Sequence, residues 1–144
     1  MFKTILAGII ISLTLVGCAS VGPQSETEKL DYKSRATTRS DGAVLVSASV
    51  LSADESRDIY GVRLAKAGIQ PVWIEVENGD DVAYWLMWPG VDPHYFSPSE
   101  AAEAFISTHE NETREVLEQR FEGLAFRNPI PPGKTVSGFV LTNL

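Results

Sequence analysis

A single cysteine, Cys18, rules out any disulfide within the chain, so packing and hydrogen bonds alone must hold the fold. Two histidines are too few for a histidine-rich metal centre. Zinc needs three or four converging ligands, and His109-Glu110-Asn111-Glu112-Thr113 carries threonine where the H-E-x-x-H pattern needs its second histidine. Basic residues are scarce as well: 12 Lys and Arg against 19 Asp and Glu leave a net charge of −7. That balance argues against nucleic acid, whose phosphates need clustered cations, and against electrostatic adsorption to anionic headgroups. The G-x-S-x-G turn and glycine-rich phosphate loops are absent. Asn78-Gly79-Asp80-Asp81 lacks the spaced oxygen series of a calcium loop and reads as a solvated turn. Glu75 and Glu77 share the outer face of one expected strand, with no sign of the burial that raises a carboxyl pKa. These absences lead us to expect a non-enzymatic protein, with no cofactor and no metal.

What is present begins at the amino terminus. Lys3 precedes an apolar run over residues 5–16, and small residues follow, the layout of an export signal. A permanent span needs about 20 apolar residues, more than this run supplies. Leu15-Val16-Gly17-Cys18 resembles the lipobox of bacterial lipoproteins. The resemblance implies cleavage before Cys18, a diacylglycerol on its thiol and an acylated new amino terminus. Ala19 stands where aspartate would favour the inner membrane, so it also implies the outer membrane, facing the periplasm. Three acyl chains exceed the two signals that stable anchoring requires. The expected organisation is a signal peptide over 1–17, a lipidated cysteine and flexible tether over 18–41, and a folded domain over 42–144. About 22 residues of polar coil span about 25 Å on average.

Within the domain, residues 43–51 alternate with strand period, and Ser52-Ala53-Asp54-Glu55 matches a capping box opening a helix to about Tyr60, stopped by Gly61. Residues 69–77 form a second expected strand, with Val72, Ile74 and Val76 inward and Trp73, Glu75 and Glu77 facing the other way. Asn78-Gly79 signals a hairpin into a third strand over 82–87, stopped by Pro89-Gly90. Ser97-Pro98-Ser99-Glu100 opens a helix over 98–107, and a second helix is expected over 110–122 with Gly123 as its stop. A short strand over 124–127, a turn at Pro131-Pro132-Gly133-Lys134 and a last strand over 135–144 complete the pattern. The expected fold is mainly β: an antiparallel immunoglobulin-like sandwich, incomplete at five strands, with a helical insertion over about 98–122 between the third and fourth strands.

Four stretches resemble a group of uncharacterised bacterial lipoproteins: Gly68-Ile69-Gln70-Pro71-Val72-Trp73, Val76-Glu77-Asn78, 92–100 (Asp92-Pro93-His94-Tyr95-Phe96-Ser97-Pro98-Ser99-Glu100) and 137–144. Members of that group carry a lipobox, a tether and a β-sandwich-like region, and some continue into a region similar to the C-terminal domain of the LssY family. The group brings no activity with it. Its chains go on past the position of Leu144, so the resemblance implies an open edge at the last strand, to be paired by a second copy or another envelope protein through strand addition. The expected role is a lipid-anchored structural or protein-interaction module, with Trp73, Trp85, Trp88, His94 and Tyr95 as its candidate contact surface. The alternative is a small-ligand-binding or hydrolytic module with its site in the 92–97 loop.

Overall fold

The computed structural model describes residues 31–107 and 112–144. The signal peptide, Cys18, most of the expected tether and His109 lie outside the described residues. The described strands are β1 (Thr37–Asp41), β2 (Val44–Val50), β3 (Ile69–Asn78) and β4 (Lys134–Asn143), joined in one antiparallel sheet in the order β1-β2-β3-β4. α1 (Ala53–Tyr60) and a 3₁₀ turn (Leu64–Ala67) connect β2 to β3. α2 (Trp88–Val91), α3 (Pro98–Ile106) and α4 (Arg114–Leu124) lie between β3 and β4.

Side chains alternate across a strand, so each long central strand serves two cores. Ile69 and Trp73 of β3, with Phe139 and Leu141 of β4, pack with Tyr60, Ala101, Ala102, Phe105, Leu117 and Phe121 from the helices. On the opposite face Ile74, Val76 and Val140 pack with Phe126 and Ile130 from the 125–130 segment. Both faces of β3 are therefore core along much of its length, and Trp73 is only 5% exposed. Among the described residues helices and loop segments, rather than a second sheet, cover this sheet. The antiparallel β-framework is as expected; the cover is helices on one face and loop segments on the other.

Local chemistry sets several boundaries. The Ser52 hydroxyl accepts the Glu55 N–H at 3.2 Å while the Glu55 carboxylate accepts the Ser52 N–H at 2.8 Å, closing the capping box of α1. Ser97 and Glu100 make the same reciprocal pair at the start of α3, with Pro98 at its first position. Gly133 turns the chain at φ 64°, a left-handed conformation glycine adopts without penalty, ahead of β4.

Elsewhere the structure departs from the sequence pattern. Thr37–Asp41 pairs with β2, so the folded body includes a strand inside the stretch read as tether. Tyr32 reaches the main core, its ring centroid 5.7 Å from Trp73 and 5.8 Å from Phe139. No hairpin follows Asn78, because β2 and β4 already occupy both sides of β3. The Asn78 side chain is fully buried and donates to the carbonyls of Val82 (2.8 Å) and Ile130 (3.1 Å). Residues 82–87 form no ladder strand. Tyr84 exchanges backbone hydrogen bonds with Ile130, and the Asn128 amide takes both the N–H and the carbonyl of Leu86. Gly123 does not stop α4, which runs on to Leu124, whose side chain packs against the main core. In place of the short strand at 124–127 there is a single parallel bridge, Ala125 to Phe139.

The edge of β4 is largely taken. Phe126 N–H donates to the Phe139 carbonyl at 2.9 Å and Phe96 N–H to the Leu141 carbonyl at 2.8 Å. The Asp92 carboxylate accepts the Asn143 N–H at 2.8 Å. Strand addition along 139–143, expected from an open last strand, would have to displace these partners.

Candidate aromatic cleft at the edge of the sheet

Two chain segments reach the β4 edge from opposite directions. Phe96 pairs antiparallel with Leu141, and Ala125 pairs parallel with Phe139 two residues away. Phe96 is placed by the capping box that starts α3 one residue later, and Ala125 by the end of α4. Between the two segments lies a cavity of about 480 Å³, within the range of small-molecule sites. Phe121, Phe126, Phe139 and Tyr60 form its deep part, each nearly buried. Trp88, Tyr95, Phe96 and Pro98 form half-buried walls. Trp88 and Tyr95 lie in ring contact at 5.8 Å, and Tyr60 packs on Phe121 at 4.9 Å.

Polar groups sit at the margin, and most are committed to the fold. The Ser97 hydroxyl bonds to Glu100, and the Asn128 amide is spent on Leu86. The exposed Arg127 donates to the Glu122 carbonyl at 3.2 Å, capping the end of α4. Burial raises the Tyr60 hydroxyl above its ordinary pKa, so it stays neutral. The arrangement suits apolar contact: rings converge on one cavity, and no hydroxyl in it is hydrogen-bonded to a histidine among the described residues.

The residues singled out from the sequence divide. Trp88 and Tyr95 come together in the cleft wall. Trp73 is buried beneath Tyr32 and is no surface residue, because β3 is covered on both faces. Trp85 is 59% exposed and its neighbour Met87 69%, on the outward side of a segment whose Leu86 and Trp88 pack inward. His94 is exposed and outside the cleft; its N–H donates to Asp92 and its carbonyl accepts from the Asn143 amide. The backbone N–H groups of Asn143 first and His94 second hold the Asp92 carboxyl below its usual pKa, so this loop carboxylate is a structural clamp. The Asn78–Asp81 turn is likewise self-satisfied: Asn78 accepts the Asp80 N–H, and Asp80 accepts the Asp81 N–H and the Tyr84 hydroxyl. Among the described residues no group of three or more His, Cys, Asp or Glu is gathered for a metal. None of their helices is long and apolar enough to cross a membrane.

Phe121, Phe126 and Phe139 were not singled out as site residues from the sequence, and Phe96 only as part of the 92–97 loop. They are 43 residues apart from first to last, and only the pairing of two distant segments with β4 brings them together. No protein-family model, no curated protein and no solved structure matches this chain.

Proposed function

We propose that the chain is a lipid-anchored cell-envelope lipoprotein, held at the periplasmic face of the outer membrane through acylated Cys18, whose body binds rather than catalyses. The observation that carries the anchor is the lipobox word Leu15-Val16-Gly17-Cys18 behind an apolar run, with Ala19 after it. The word-level resemblance to bacterial lipoproteins supports the same reading. For the body, the aromatic cleft favours a small apolar ligand over a purely structural role. It has depth, converging rings and a wall built from the 92–97 loop.

One experiment has two arms. Labelled palmitate is incorporated into the wild-type chain and lost with Cys18→Ala; label retained by the variant overturns the anchor. The neutral probe N-phenyl-1-naphthylamine gains fluorescence on the protein, and Trp88→Ala with Tyr95→Ala weakens its binding about tenfold, the equivalent of about 1.4 kcal/mol of ring contact. Unchanged affinity in that pair overturns the cleft.

A further inference from the structure

Ten large apolar side chains are exposed among the described residues, and five of them sit in one ten-residue stretch: Val82, Tyr84, Trp85, Met87 and Val91. Single exposed apolar residues are ordinary on a protein surface, whereas a cluster marks a contact. No charged residue interrupts 82–91, and of the three tryptophans only Trp85 is exposed. The stretch is also held in place, so it cannot fold these groups away. Tyr84 is bridged to Ile130, and both backbone groups of Leu86 are taken by the Asn128 amide. The following turn closes with Gly90 N–H on the Met87 carbonyl at 2.9 Å and Asp92 N–H on the Trp88 carbonyl at 3.0 Å. With Leu86 and Trp88 packed inward, Trp85 and Met87 have to project.

Size and reach decide what covers such a loop. A stable protein interface draws on about 20–30 residues a side, many more than this loop exposes. A bilayer demands no matching shape, and it takes tryptophan at its headgroup level, where one end of the side chain is apolar and the other wet. From Cys18 to Asp31 the chain reaches up to about 45 Å when taut. A domain of this size has a radius of gyration of about 13 Å, so any face of the body can be turned to the membrane. Asp80, Asp81 and Asp92 flank the stretch, which favours zwitterionic over anionic lipid. We propose that the anchored body lies on zwitterionic lipid through the 82–91 loop, with Trp85 and Met87 at the headgroup level. This contact rests on the Cys18 anchor proposed above, and it orients a body that the acyl chains already hold.

Tryptophan fluorescence of the acylated full chain, in phosphatidylcholine vesicles brominated along the acyl chain, tests the contact. Bromine quenches the wild-type emission, more from a shallow acyl position than from a deep one. The quenching is lost in Trp85→Phe, which removes the reporter and keeps an aromatic ring. It is reduced in Met87→Gln, which keeps the reporter and removes an inserting side chain. Flotation of the same samples separates this contact from the anchor. Protein that does not float with the vesicles overturns the anchor and this contact with it. Protein that floats with its emission unquenched overturns the contact alone and leaves the loop to a protein partner. Quenching that persists undiminished in Trp85→Phe comes from another face of the body and overturns the contact as well.

Discussion

Arg35 and Glu55 show what one residue pair does for this fold. Glu55 is 5% exposed, yet its carboxylate receives both terminal nitrogens of Arg35 at 2.8 Å and the Ser52 N–H at 2.8 Å. Chiefly through the Arg35 guanidinium, and against the opposing effect of burial, its pKa is lowered from 4.5 to about 2. A depressed carboxyl stabilises the fold above its unfolded pKa, and that contribution is lost as pH falls from about 4.5 towards 2. Arg35→Ala should cost about 1–2 kcal/mol at neutral pH, since the partner arginine is partly solvated. It should also flatten the decline of stability between pH 5 and pH 2.5, measured by urea unfolding at stepped pH. Identical slopes in wild type and variant would mean that the pair contributes nothing. Half of this pair was legible: Ser52 and Glu55 announce a helix start by their spacing. Arg35 was not, because it lies 20 residues upstream in a stretch without apolar periodicity.

At the scale of elements, β2, β3, β4, α1 and α3 were readable because their signals are local: alternation for strands, reciprocal caps for helices. β1 was invisible for a physical reason. Every residue of Thr37–Asp41 is exposed, so no apolar face marks the strand, and only its pairing with β2 defines it. The false hairpin at Asn78-Gly79 fails for the complementary reason, since the partner β3 actually takes, β4, begins 56 residues after Asn78. The cleft belongs to the same non-local class and hangs on Gly138. A Cβ there would lie 2.5 Å from the Phe126 Cα and 2.8 Å from the Ala125 carbonyl carbon, both backbone atoms that cannot swing aside. Gly138→Ala should therefore force the 125–126 segment off β4, costing about 1–3 kcal/mol. Thermal unfolding reads the loss, and weakened binding of N-phenyl-1-naphthylamine accompanies it; an unperturbed melting temperature would show that this close approach is loose.

For the whole molecule, the consequential revision is where the body begins. Reading 42–144 as the domain omits β1, Tyr32 and Arg35, all of which are integrated: Tyr32 against Trp73 and Phe139, Lys33 over the Trp73 ring at 5.4 Å, Arg35 on Glu55. Two proteins starting at residue 31 and at residue 42 should differ in unfolding free energy by about 3–5 kcal/mol, from aromatic contacts, the ion pair and the lost strand. That is a large share of the 5–15 kcal/mol typical of a domain. Equal stability would return the stretch to the tether.

The docked stretch also decides how the molecule answers a pull. Were Cys18 fastened to a bilayer, about 12 residues would separate it from Asp31, a leash of at most about 45 Å when taut. Tension along that leash would arrive first at the Tyr32 ring and the Arg35 guanidinium and would reach the sheet only after those had given way. Under such a load the first contacts to yield would be those of one tyrosine and one arginine, ahead of the ladder that holds β1 to β2.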